Sequence, residues 1–494
     1  MSERADRRGP QRERSATRPS DRGRNADPPR LAAYTVLRTI AGGGYANLEL
    51  PKELRHRRLR GRDAAFATEL VYGTTRMRGV YDRIIAIAAD RPVERIDGGV
   101  LDTLRMGAHQ LLAMRVPPHA AADTSVALAR QVNGAGAAGL VNAVLRRVSE
   151  ADLATWESRI IPPEADVTTQ LAIQHSHPEW VAKALRQALL GHHGATAATI
   201  DAQLAALLAA DNAPAEVNLV ARPGLVTVAD LLAEGAQPHP LVPTAALLPS
   251  GDPGALAMIR DGRAAVQDAG SQVVALTLAA APLGGPPREI ERWLDLCAGP
   301  GGKAGLLAGL ALDRPADLVA NEIAPHRADL LAQTLRAASE EAARVGLDLE
   351  VRVGDGRYAG ADEPAAYDRV LIDAPCTGLG ALRRRPEARW RRTPSDLAGL
   401  GALQRELLAS ALDALSPGGV AVYATCSPHL AETTFVVADV LRKRPDIEQL
   451  DARPVVAEVT TGWGEALGAG PAVQLWPHTH GTDGMFLALL RKSL

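Results

Sequence analysis

Asp295-Leu-Cys-Ala-Gly-Pro-Gly-Gly-Lys303 is the stretch that decides the fold. An apolar segment, 292–296, runs into it, and an Ala/Leu-rich stretch with helical character, 302–311, leaves it. Glycines here remove Cβ atoms, so the backbone can approach a nucleotide and a helix N-terminus can face it. Gly299-x-Gly301-x-x-Ala304 also satisfies the dinucleotide fingerprint loosely, so a nicotinamide cofactor stays open from this loop alone. Further apolar strands are predicted at 317–321, 347–353, 367–372 and 419–425, alternating with helices near 325–345 and 396–415. That alternation marks a parallel, doubly wound sheet. The closing segment 485–490 reads as an edge strand.

In such a sheet, chemistry gathers at the carboxyl ends of the strands. Glu322 ends the second strand, where an acid would take the ribose hydroxyls of an adenosine cofactor. Asp355, in Gly-Asp-Gly-Arg after the third strand, offers another polar contact on the same rim. The fourth strand ends in Asp373-Ala-Pro-Cys376 and the fifth in Ala-Thr-Cys426-Ser427-Pro428. If these strands are neighbours, about 5 Å apart, both thiols and Asp373 open into one crevice. Cys297, inside the glycine-rich loop, reads as packing as well as cofactor lining. Arg383, Arg384, Arg385, Arg389, Arg391 and Arg392 follow, and their guanidinium groups suit phosphate oxygens.

Upstream the pattern changes. Residues 1–29 carry many arginines and almost nothing apolar, and are expected to form a disordered basic arm. From 30 to 150 the periodicity is helical: Ala33, Val36, Leu37 and Ile40 make one stripe, and Val141, Val144, Leu145 and Val148 another. Residues 151–265 read as a helical linker followed by a small α+β unit, with a strand near 216–220. The sheet domain takes 266–494.

Composition narrows the class. The chain has 494 residues, 46% of them hydrophobic, enough for several cores. No uncharged apolar run is long enough to span a membrane. The polar N-terminus is unlike a secretory signal. Three cysteines without CxxC spacing exclude a disulfide scaffold and suggest no metal site, so the chain reads as cytoplasmic with free thiols. A net charge of −2 argues against a generic polyanion binder, which leaves local basic clusters to do any RNA binding.

Taken together, residues 266–494 resemble the S-adenosylmethionine-dependent RNA cytosine-5 methyltransferases of the Nop/Sun family. The likeness is carried by Val266-Gln-Asp-Ala-Gly-Ser-Gln272, Cys297 to Lys303, Gly354-Asp-Gly-Arg357, Asp373-Ala-Pro-Cys376, Thr425-Cys-Ser427 and Asp483-Gly-Met-Phe486. Leu104-Arg-Met-Gly-Ala-His-Gln-Leu111 and Val141-Asn-Ala-Val-Leu-Arg-Arg147 are similar to the NusB RNA-binding domain. The combination resembles the RsmB type, which methylates 16S ribosomal RNA. Gly299 stands where the family usually has Ala, and Glu322 where Asp is common.

The resemblance implies a multidomain chain: an all-α NusB-like domain, a small α+β linker domain and an α/β Rossmann-like methyltransferase domain, with the whole a monomer. It implies S-adenosylmethionine held by Cys297, Ala298, Gly299, Pro300, Gly301, Gly302, Lys303, Glu322, Asp355 and Asp373. It assigns the nucleophilic thiolate to Cys426 and release of the product to Cys376, with Asp373 and Lys303 handling the charge on the base. DNA cytosine-5 methyltransferases use the Pro-Cys thiol instead, which here is Cys376. A non-catalytic RNA-binding scaffold and a nicotinamide oxidoreductase are the competing classes; neither has a use for two poised thiols.

Overall fold

The computed structural model describes residues 26–494 apart from Pro287, so the arm arginines up to Arg24 lie outside the described residues. By its internal contacts the chain divides between Ile161 and Pro162 into two compact units.

The first unit is helical, from Pro28–Ala41 to Leu153–Ile160. Its first helix starts inside the expected arm, because Asp27 caps it by accepting from Arg30 N at 3.1 Å and Pro28 suits the opening turn. The stripe of Ala33, Val36 and Leu37 closes on Leu70, Val71, Met106 and Leu128. Val141, Val144 and Leu145 are likewise buried. Lys52, Arg55, Arg58, Arg60 and Arg62 stand exposed on the outside of this unit.

The second unit opens with three helices, Val167–Gln174, Glu179–Gly191 and Ile200–Asn212. They are no free linker: their apolar faces share one core with Leu379, Leu382 and Trp476. A small antiparallel sheet follows, built from β1 (Val217–Ala221), β2 (Gln237–Pro238), β3 (Ala245–Leu248) and β4 (Ala264–Val266) in the order β2-β3-β1-β4.

The main sheet comprises β5 (Glu291–Asp295), β6 (Ala316–Glu322), β7 (Leu349–Val353), β8 (Tyr367–Asp373), β9 (Leu415–Thr425), β10 (Ile447–Leu450), β11 (Val473–Gln474) and β12 (Phe486–Lys492). Its order is β10-β12-β9-β8-β5-β6-β7, with β11 paired to β12. The five strands β5 to β9 run parallel. Successive residues enter two different cores: Trp293, Leu371 and Val422 one face, Leu294, Ile372 and Tyr423 the other. Burial on both faces explains why these strands are continuous apolar runs.

The last strand departs from expectation. β12 is interior, antiparallel to β9 on one side and β10 on the other. The edge is the four-residue β10, too short to announce itself in the sequence. Among the described residues, no helix is long and apolar enough to cross a membrane.

Candidate active site

Parallel pairing sets Asp373 opposite Ala424, so β8 and β9 deliver their following loops side by side. Cys376 lies three residues beyond β8 and Cys426 directly after β9, and their Sγ atoms are 3.4 Å apart. Lys303, in the first turn of the helix Gly302–Asp313, donates from Nζ to Asp373 Oδ2 at 2.7 Å. The lysine is buried, whereas the Asp373 side chain keeps 32% of its exposure and so still faces the crevice.

The two thiols are not equivalent. The Cys426 pKa lies below the ordinary thiol value chiefly because Cys376 hydrogen-bonds to it; burial and Asp373 oppose this, and Arg385 and Lys303 assist. The same hydrogen bond, with burial, pushes Cys376 well above that value. The two shifts favour ionisation of Cys426 over Cys376. For Lys303, burial works against the charge, but Asp373, Cys426 and Asp295 outweigh it and hold the ammonium protonated. Cys297 packs at the edge of the core, and burial pushes its thiol up.

The loops meet through a close backbone approach. Gly380 N donates to Cys426 O at 2.8 Å, and Gly484 N to Gly380 O at 2.7 Å. A Cβ on Gly380 would lie 2.0 Å from Gly484 O and 2.9 Å from Cys426 O. Cys426 O cannot yield without breaking its bond from Gly380, and Gly484 O belongs to the peptide backbone whose N–H holds Gly380 O. Gly380→Ala is expected to cost about 3 kcal/mol of stability by overpacking and to depress turnover. Thermal unfolding checks the first effect, and an unchanged melting temperature would contradict it.

The residues expected to line the cofactor site come from three strand ends. Cys297, Ala298, Gly299, Pro300, Gly301 and Gly302 form the turn after β5, and Gly301, the residue before the helix, has φ +100°. A Cβ there would meet Thr334 at 2.7 Å, whereas one on Gly302 would meet nothing within 4 Å. Glu322 ends β6 with its side chain largely buried, accepting from Ala324 N at 2.9 Å, with Arg327 at 3.5 Å. Asp355 stands after β7, its carboxylate hydrogen-bonded by Arg357, which holds its pKa below the usual range. Using it for a cofactor requires sharing it with Arg357.

A family model described as 16S rRNA methyltransferase RsmB/F matches residues 285–491, and a NusB family model matches residues 28–150. A probable ribosomal RNA small subunit methyltransferase B of Synechocystis is 31% identical, covering 94% of this chain and 99% of its own. The chain belongs to the RsmB/F methyltransferase family. A putative methyltransferase of Mycobacterium tuberculosis (strain ATCC 25618 / H37Rv) is 50% identical, with 95% of this chain and 98% of the relative covered. The crystal structure of PH0851 has the same fold, with a TM-score of 0.73 at 20% identity over 95% of this chain and 99% of that one.

In this RsmB/F-family chain, the arginine cluster sorts differently from its sequence reading. Arg389 is fully buried, donating to Asn212 Oδ1 at 2.8 Å and to the carbonyls of Ser176 and Asp211. Arg383 is also buried, reaching Gly481 O at 2.9 Å. Arg384 Nε donates to Asp483 Oδ2 at 2.9 Å. The buried side chains of Arg383 and Arg389 cannot meet RNA, because protein carbonyls and an amide already take their guanidinium groups. Arg391 and Arg392 are half-buried, and Arg385 alone of the six is exposed.

The roles of several residues escaped sequence reading. Asn321 Nδ2 donates to Leu296 O and Gly354 O, both at 3.0 Å, tying the ends of β5 and β7 together across β6. Its signal was an amide inside an apolar strand. Asp268 accepts from Asp483 N at 3.0 Å, so two motifs 215 residues apart anchor the arginine loop jointly. Asp295 ends β5 with both carboxyl oxygens buried and lacking a hydrogen-bond partner. Burial, then Asp373, raises its pKa to about 7.

Proposed function

We propose that this enzyme transfers a methyl group from S-adenosylmethionine to carbon-5 of a cytosine in 16S ribosomal RNA, through a covalent adduct between Cys426 and the base. The observation that carries this reading is the pair of thiols 3.4 Å apart beside the Lys303–Asp373 ion pair. Neither a scaffold nor a hydride-transfer enzyme has a use for that arrangement.

The residues present fit the cofactor. The open space beside Gly302, the orphaned Asp295 carboxyl and the exposed Ile323 next to Glu322 together suit a ribose, an amino acid moiety and an adenine. Residues 297–303 would hold it with Glu322, Asp355 and Asp373. When bound, it supplies an electrophilic methyl group on a sulfonium.

Carbon-5 of cytosine is a weak nucleophile until a thiolate adds to carbon-6 and makes the ring an enamine. Cys426 makes that bond, and the electron pair moves toward ring nitrogen-3. Lys303 donates to one oxygen of Asp373, and the other oxygen shares a proton with nitrogen-3, so the charge developing on the ring is met by that proton while the carboxylate stays paired with Lys303. Once carbon-5 is methylated, its proton passes to a water molecule acting as base, the C–H electron pair forms the carbon-5–carbon-6 double bond, and Cys426 departs as thiolate. Cys376 is the group in reach of the departing sulfur. These thiols must stay reduced to work, which suits the cytoplasm.

RNA contacts fall to Arg385 in the sheet unit and to the exposed Lys52–Arg62 run in the helical unit. Arg385→Ala is expected to lower the slope of log affinity against log salt by about 1. Arg389→Ala should leave that slope alone and destabilise the fold by about 2–4 kcal/mol, since it strands buried acceptors. Filter binding at several salt concentrations, beside thermal unfolding, separates the two; the reverse pattern would refute the sorting.

Nucleoside mass spectrometry of 16S RNA incubated with the enzyme and S-adenosylmethionine tests the reading as a whole. The expected product is 5-methylcytidine. A 4-methylcytidine product, or no product with cofactor bound, would overturn it.

A further inference from the structure

Behind the two thiols lies a buried carboxylate to which the reaction above gives no part. Glu432 ends the short 3-10 turn Leu430–Glu432, six residues after Cys426, and is fully buried. Thr377, the residue after Cys376, donates to it twice: from its backbone N at 2.8 Å and from its Oγ1 to the other oxygen. Because that hydroxyl proton is committed to Glu432, Ser427 must donate its own proton to Thr377 Oγ1, 3.1 Å away. Ser427 directly follows Cys426, and its Oγ accepts from His429 N at 3.3 Å. The chain His429 N–H, Ser427 O–H, Thr377 O–H, Glu432 thus runs one way.

Two further contacts stiffen it. Gln404 Nε2 bridges Pro375 O at 2.9 Å and Glu432 Oε1 at 3.3 Å, and Tyr423 donates to Glu432 O at 2.8 Å. The carboxylate therefore grips the segment 375–377 and, through one hydroxyl relay, the residue after Cys426. We propose that Glu432 is a positioning residue for the two thiols, locking the residues that follow Cys376 and Cys426 to each other and so fixing the approach of the two sulfurs. Its negative charge also acts on Cys376, adding to the hydrogen bond from Cys426 and to burial in disfavouring a thiolate there. Glu432 thereby helps to assign the thiolate to Cys426 and the proton to Cys376. The inference rests on the reading of Cys426 as nucleophile, which deepens here into how that role is assigned.

The test uses the full chain with Thr377→Val, Thr377→Ser and Glu432→Gln. The ratio of Cys426 to Cys376 alkylation by iodoacetamide, read by peptide mass spectrometry without RNA or cofactor, reports the thiols directly. Thr377→Val is expected to reduce that ratio at least about fivefold and kcat about tenfold, with KM for RNA within about twofold. Thr377→Ser restores both, and Glu432→Gln lowers the ratio by removing the charge. An unchanged ratio and kcat in Thr377→Val, with circular dichroism showing the native fold, overturns the proposal. If Glu432→Gln does not fold, Thr377→Val and its serine rescue still decide. Should Cys426 prove not to be the nucleophile, Cys426→Ala would keep its activity while the alkylation ratio still judged Glu432 on its own.

Discussion

Cys426→Ala is expected to abolish methyl transfer, by at least about a thousandfold, because without addition at carbon-6 the ring offers no enamine. The loss should lie wholly in turnover. Cys426 is only partly buried, and its backbone carbonyl, not its sulfur, accepts from Gly380. The fold should therefore survive, and calorimetric titration should give a cofactor affinity within about twofold of wild type. The pH dependence carries a sign as well. Since the Cys426 pKa sits below the ordinary thiol value, the wild-type rate should rise with pH and level off before free cysteine would ionise. Cys376→Ser, which weakens the largest cause of that shift, should move the acid limb of kcat/KM to higher pH. A limb that moves lower, or not at all, contradicts the division between the thiols.

Cys376→Ala should fail later in the reaction. Cys426 can still attack, but no second thiol stands 3.4 Å away to assist the departing sulfur. Methylated RNA should then remain joined to the protein and run as a slow band on a denaturing gel, with multiple turnover reduced about a hundredfold or more. The double variant, lacking both thiols, should show no such band. Free RNA product released at the wild-type rate by Cys376→Ala would remove that residue from the reaction.

What could be read from the chain alone follows from how local each signal is. The five parallel strands are buried on both faces, so their apolar runs stand out, and the acids and thiols at their ends are placed once the strands are neighbours. β1 was legible as the strand of a small α+β unit, but its pairing with β2, β3 and β4, like the four-residue β10, depends on contacts between distant segments, which spacing does not report. The same holds for the arginines. Their sequence clustering suggested a phosphate surface, yet Arg389 is satisfied by Asn212, 177 residues away, and Arg384 by Asp483, 99 residues away. Asp268 and Asp483 were legible as motif residues but not as the anchors of that loop. Glu432 was invisible, and Asn321 showed only as an amide inside an apolar strand, for a related reason: a buried polar group declares its role only through the partners that satisfy it.

The central claim is that Cys426 makes the bond to the base, and trapping that bond tests it most directly. RNA containing 5-fluorocytosine has no removable proton at carbon-5, so an adduct formed by the enzyme with S-adenosylmethionine cannot resolve. Peptide mass spectrometry of the trapped complex should find the nucleotide on the peptide bearing Cys426. Attachment at Cys376 would contradict the account and give this enzyme the DNA-type arrangement instead.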